Sequence, residues 1–157
     1  MKKIKHVFMM LTVLTVVAFG SCKKSNPTPT PKTVSDQSIS LDVNGTPYSS
    51  TNLASTYSKS QNLIQVAGQL NSTTAVYFVL TGGVNVGVYN FSDGHLQMGY
   101  TDGTSQSNSF AGSSGVVNVT SFTATSISGT FTFTVVNPAN VTLPLTEGKF
   151  TADYTTQ

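Results

Sequence analysis

The chain has 157 residues, with eight lysines, no arginine, six carboxylates and a formal net charge of +2. From Val34 onward only Lys59 and Lys149 oppose Asp36, Asp42, Asp93, Asp102, Glu147 and Asp153, so that part carries a net −4. Such a segment lacks the basic patch that displaces counterions, which argues against nucleic acid and anionic phosphate ligands, and a lone cysteine excludes an internal disulfide.

The first element is a leader over residues 1–21. Lys2, Lys3 and Lys5 form a positive start, Val7 to Phe19 is apolar apart from Thr12 and Thr15, and Gly20-Ser21 are small. This is the pattern of a secretory signal peptide. The apolar run is short of the roughly 20 residues that a membrane span needs. Phe19-Gly20-Ser21-Cys22 resembles a lipobox, with Phe19 where leucine is common. That resemblance to bacterial lipoproteins implies acylation of the Cys22 thiol, palmitate-type chains and a membrane anchor. Plain cleavage after Gly20 also fits the small residues, but it leaves a reactive thiol in an oxidising compartment. Lys23 and Lys24 suit contact with anionic headgroups. No acidic residue stands directly or shortly after Cys22, and the resemblance then implies the outer membrane facing the periplasm, with surface display as the other location.

Residues 22–35 form the lipidated terminus and a tether. Pro27, Pro29 and Pro31 alternate with Thr28, Thr30 and Lys32. Such a segment favours polyproline II and builds no core. A dozen residues of this kind span on the order of 40 Å.

Residues 36–157 read as a single all-β domain. Apolar residues alternate with polar ones at Ile39/Leu41/Val43, Ile64/Val66/Gly68, Val76/Phe78/Leu80, Val117/Val119 and Phe131/Phe133/Val135. The same period returns at Val141/Leu143/Leu145 and at Phe150/Ala152/Tyr154. A period of two marks strands with one dry face and one wet face. Asn44-Gly45, Asp93-Gly94 and Asp102-Gly103 predict tight hairpins. Asn71 to Thr74, Gly112 to Gly115 and Asn137 to Asn140 read as longer loops. No window has a helical period. The expectation is one antiparallel β-sandwich or β-barrel of about eight to ten strands.

Asn44-Gly45-Thr46-Pro47-Tyr48, Gly87-Val88-Tyr89, Gly115 to Thr120, Ile127 to Phe133 and Thr146 to Phe150 together resemble an uncharacterised family of small all-β lipoproteins of Gram-negative bacteria. The resemblance speaks to fold and assigns no catalytic residue. Gly129, in phase with Phe131, suggests a bulge or a close neighbour, and Gly148 a turn or bulge that sets the last register.

The chemical inventory is thin. His95 is the only histidine after the leader, and Gly112-Ser113-Ser114-Gly115 is one residue short of a nucleophile elbow. Asp93, Asp102, Glu147 and Asp153 are carboxylates without a pattern for glycoside hydrolysis. Zinc lacks ligands; calcium would draw on Asp93 and Asp102. No cofactor or metal is expected. Tyr77 and Tyr89 lie opposite the apolar stripe and Tyr100 lies with Leu96 and Met98, so the three are candidates for stacking a sugar or peptide. The leading expectation is a non-catalytic binding or structural module whose partner is a glycan, a peptide or an envelope protein. The alternatives are a barrel carrying a small apolar ligand and an envelope hydrolase that uses His95.

Overall fold

The computed structural model describes residues 36–103 and 105–157; the stretches expected to form a signal peptide, a lipidated Cys22 and a proline tether lie outside them. The alternating runs become strands β1 (Ser38–Val43), β2 (Thr46–Ser50), β3 (Leu53–Ser58), β4 (Leu63–Gln69) and β5 (Thr74–Leu80). They continue as β6 (Gly87–Asn90), β7 (Leu96–Asp102), β8 (Ser109–Phe122), β9 (Ser126–Val136), β10 (Thr142–Asp153) and β11 (Thr155–Thr156). Two 3₁₀ turns, Phe91–Asp93 and Gln106–Asn108, are the only helical pieces among the described residues.

All strands join one sheet in the order β11-β3-β4-β5-β7-β8-β9-β10-β1-β2, with β6 also paired to β8. Every pairing is antiparallel except that of β11 with β3. The all-β expectation holds: the sheet curls into a half-barrel. The two-residue β11 brings the strand number to eleven.

The curl follows from side-chain contacts that a flat sheet forbids. β5 and β10 stand four places apart, which at about 4.8 Å per place would part them by roughly 19 Å. Yet the ring centroids of Phe78 on β5 and Phe150 on β10 are 5.0 Å apart. Phe78 also meets Phe131 at 5.9 Å and Phe133 at 6.1 Å, both on β9. Gly68 on β4 does the same toward β1: a Cβ there would stand 2.6 Å from Cγ2 of Ile39. One face of the sheet therefore closes on itself. Ile64, Val66, Val76, Leu80, Leu96, Met98, Val117, Val119 and Leu145 fill the remaining interior.

The two ends of the curl are tied. At the end of β2 the Ser50 hydroxyl donates to the carbonyl of Gln69 on β4 at 2.6 Å, and Gln69 N–H donates to Asn52 O at 2.9 Å. β11 lies along β3, and Gln157 N–H donates to Tyr57 O at 2.9 Å. Beside it Tyr57, Phe122 and Tyr154 pack together, with centroids 5.5 to 5.7 Å apart.

β10 joins two runs of opposite phase. Leu145 is inward, and so are Gly148, Phe150 and Ala152, which requires one extra residue between them. Register shifts against β9 between Leu145 and Gly148, and β1 shifts at the same place. Of the turn or bulge expected at Gly148, the structure has the bulge. A Cβ on Gly148 would meet Cδ2 and the carbonyl oxygen of Phe131, both at 2.5 Å. Gly129 admits a close neighbour, as expected: a Cβ there would collide with the Asn118 carbonyl and touch the Phe150 ring at 3.1 Å.

Asn44-Gly45 is the tight hairpin predicted, with φ of 50° and 82° and Val43 opposite Thr46. Two positive φ values give the turn whose twist matches the strands. Asp93-Gly94 is not a hairpin. It ends a 3₁₀ turn between β6 and β7, which pair with β8 and not with each other. Asp102-Gly103 opens a longer connection to β8, closed by the 3₁₀ turn at Gln106–Asn108. Gly112 to Gly115 is not a loop but part of β8, with a register shift between Gly112 and Ser114. Asn71 and Asn137 do build turns: the Asn71 Oδ1 accepts from the N–H groups of Thr73 and Thr74, and that of Asn137 from Ala139 and Val141.

Tyr100 is 1 % exposed in the interior. Burial, with smaller contributions from Asp102 and Tyr48, pushes its phenol up to about 12. An unfolded tyrosine ionises near 10. The folded state thus holds the proton more tightly, its stabilisation is complete below pH 10, and it is lost as pH rises toward 12.

Two outcomes are expected. Phe78→Ala should lower the unfolding free energy by about 3–5 kcal/mol in urea titration, whereas Val141→Ala, at a 49 % exposed position, should change it by less than about 0.5 kcal/mol. Tyr100→Phe should flatten the loss of stability between pH 10 and 12; a stability profile identical to the parent's in that window would contradict the burial of the phenol.

Candidate functional site

Inside the curl the rings of Phe78, Phe131, Phe133 and Phe150 pack against one another, and three open depressions lie on the outer surface.

The histidine sits at the start of β7, where its carbonyl accepts from Thr81 N–H at 2.9 Å. Its ring lies on Gly82, where a Cβ would stand 2.7 Å from Nδ1. No serine hydroxyl hydrogen-bonds the imidazole among the described residues. The nearby Asp93 carboxylate accepts from Asn90 Nδ2 at 3.0 Å and Ser92 Oγ at 3.2 Å. Those two bonds, in that order, hold it below the usual carboxylate range. Asp102 is at the other end of β7, roughly 23 Å away along an extended strand, where it accepts from Thr74 Oγ1 at 3.1 Å. Asp93 and Asp102 therefore do not converge on a cation. Ser113 is a bulge residue whose hydroxyl donates to Thr134 O at 3.1 Å. No group of three or more His, Cys, Asp or Glu suited to a metal ion occurs among the described residues.

The three tyrosines are not brought together. Tyr100 is enclosed with Leu96 and Met98 and offers no ring face to solvent. Tyr89 is a loop staple: its hydroxyl accepts from Asn85 N–H at 2.7 Å and faces the carbonyls of Asn85 and Gly83 at 3.0 and 3.2 Å. Tyr77 points outward from β5 and is 41 % exposed.

Two outer faces differ sharply in chemistry. On β1, β9 and β10, three shallow open depressions of about 190, 490 and 410 Å³ all border Lys149. Glu147 borders two of them, and Ser40, Asp42 and Thr130 are among the other polar residues of the lining. Glu147 is the extra residue of the bulge and holds φ at 53°, a region that costs a side-chain-bearing residue roughly 1–2 kcal/mol. This face carries both charge signs and is solvated.

The other face lies on β3, β4, β5, β7 and the start of β8. Register places Ala54, Ala67, Tyr77, Gly99 and Ala111 side by side across five strands. The tyrosine is the only large side chain in that row. Its ring covers Gly99, where a Cβ would meet Cε1, Cζ and Oη at 2.5 to 2.6 Å. Gln65 and Gln97, both exposed, flank Val79 in the neighbouring row, and Gln69 lies on the opposite side. No charged residue faces outward in these rows. Sequence reasoning singled out Tyr77 by its phase but missed the row, which exists only through register. Ala67 and Gly99, small residues on the wet phase, were the signal available.

No curated protein and no solved structure matches the chain. The model of one family, described as a domain of unknown function, matches residues 35–152, and the chain belongs to that family, DUF6252.

Proposed function

We propose that the protein is a lipid-anchored envelope module that binds its partner non-covalently through the outer surface of the curled sheet. The single observation that supports an outer over an interior binding surface is the aromatic packing: the ring of Phe78 meets those of Phe131, Phe133 and Phe150 inside the curl, which favours a partner that approaches from outside. The scattered positions of His95, Asp93, Asp102 and Ser113 favour a non-catalytic role.

The anchor rests on the sequence of the leader. Cys22 follows a charged and apolar segment and precedes a proline-spaced stalk. Each acyl methylene buried in the bilayer contributes about 0.8 kcal/mol, and two or more chains hold a protein far longer than one. The absence of an acidic residue next to Cys22 favours the outer membrane, facing the periplasm.

Metabolic labelling with a fatty-acid probe tests this reading. The parent should take up label and fractionate with membranes, while Cys22→Ala should lose the label and move to the soluble fraction. An unlabelled parent, or a Cys22→Ala variant that stays labelled, would overturn the anchor.

A further inference from the structure

We propose that the Tyr77 face is a docking platform for a neutral polysaccharide. This rests on reading the domain as a binding module, and it names the ligand class that one face would take.

The face has three properties that belong together. Its floor is low and flat, because the row through Ala54, Ala67, Gly99 and Ala111 contributes at most a methyl group per strand. On that floor lies one aromatic ring, held down over Gly99. Only glycine at that position lets the ring settle onto the sheet and stay exposed. The rim carries amides, Gln65 and Gln97 in a row with Thr56 and Val79 on one side and Gln69 in a row with Ala75 and Thr101 on the other. Gln69 is engaged through Oε1 with Asn52 Nδ2 at 3.1 Å.

A sugar ring has an apolar C–H face and a rim of hydroxyls that both donate and accept. The first suits an exposed aromatic ring. The second suits carboxamides, which offer both donor and acceptor atoms. Charge selects further. The face has no charged residue, and residues 34–157 carry net −4, so an anionic polymer would be repelled and an uncharged one would not. Extension suits a polymer as well: neighbouring strands repeat at about 4.8 Å, so a chain laid across them meets a short side chain at each step. A protein partner is a poorer fit, since it needs about 800 Å² per side with large anchoring side chains, and this floor is alanine and glycine.

The test uses the exported full chain carrying Cys22→Ala, run in native gels containing dextran, laminarin or xyloglucan. At least one of these polysaccharides should retard it. Tyr77→Ala should weaken that retardation about tenfold, Tyr77→Phe should keep it, and Gly99→Ala should reduce it by lifting the ring. Lys149→Ala, on the other face, should behave as the parent does. Unchanged melting temperatures of the Tyr77 variants establish that they are folded. Retardation by none of the three, or equal retardation of Tyr77→Ala, overturns the proposal. So does a concentration-dependent dimer that Tyr77→Ala abolishes, which would assign the face to a second copy of the chain. None of these results bears on acylation at Cys22, so the glycan proposal and the anchored-module reading fail separately.

Discussion

The contact of Phe78 with Phe150 is the constraint on which most of the structure depends. It joins strands that lie four places apart in the sheet, so the sheet must curl and one face must be lost to solvent. Gly68 over Ile39 imposes the same closure on β4 and β1. Once the curl is fixed, the inward phase of every strand is fixed as well. β10 can serve both its halves only by inserting Glu147, which is why a residue with a full side chain occupies a left-handed conformation there.

A barrel of this size could enclose a small ligand; here the rings of Phe78, Phe131, Phe133 and Phe150 meet inside the curl. The outer surface then divides by composition. One side gathers Asp42, Glu147 and Lys149 around open depressions. The other is uncharged, nearly flat and centred on Tyr77. The same alternation that buries Phe78 puts Tyr77 outside, so the core and the candidate platform are two consequences of one strand.

Much of the fold was legible in the sequence because a period of two is a local signal. The inward sets on β1, β4, β5 and β9 were read residue by residue, and the glycine at Gly148 suggested a turn or bulge without showing the change of phase that makes it a bulge. What failed was pairing, which is not local. Asp93-Gly94 has the chemistry of a hairpin turn, but β6 and β7 on either side of it both turn to β8. Gly112 to Gly115 has the composition of a loop, yet β9 supplies a partner that keeps it extended. The site was legible only in part for the same reason. Phase marked Tyr77 as outward and Tyr100 as inward with Leu96, but the alanines beside Tyr77 come from strands that only register aligns. The hydroxyl staple that fixes Tyr89 belongs to the geometry of the 81–95 connection and has no sequence signature.

The central claim is that rings from distant strands meet and leave the inside full. Nuclear Overhauser measurements on the selectively labelled domain test it directly. Cross-peaks between the ring protons of Phe78 and those of Phe150 and Phe133 should be strong, and an added apolar fluorescent probe should find no saturable interior site. Absent cross-peaks together with stoichiometric uptake of the probe would mean an open barrel, and with it a carrier in place of a surface-binding module.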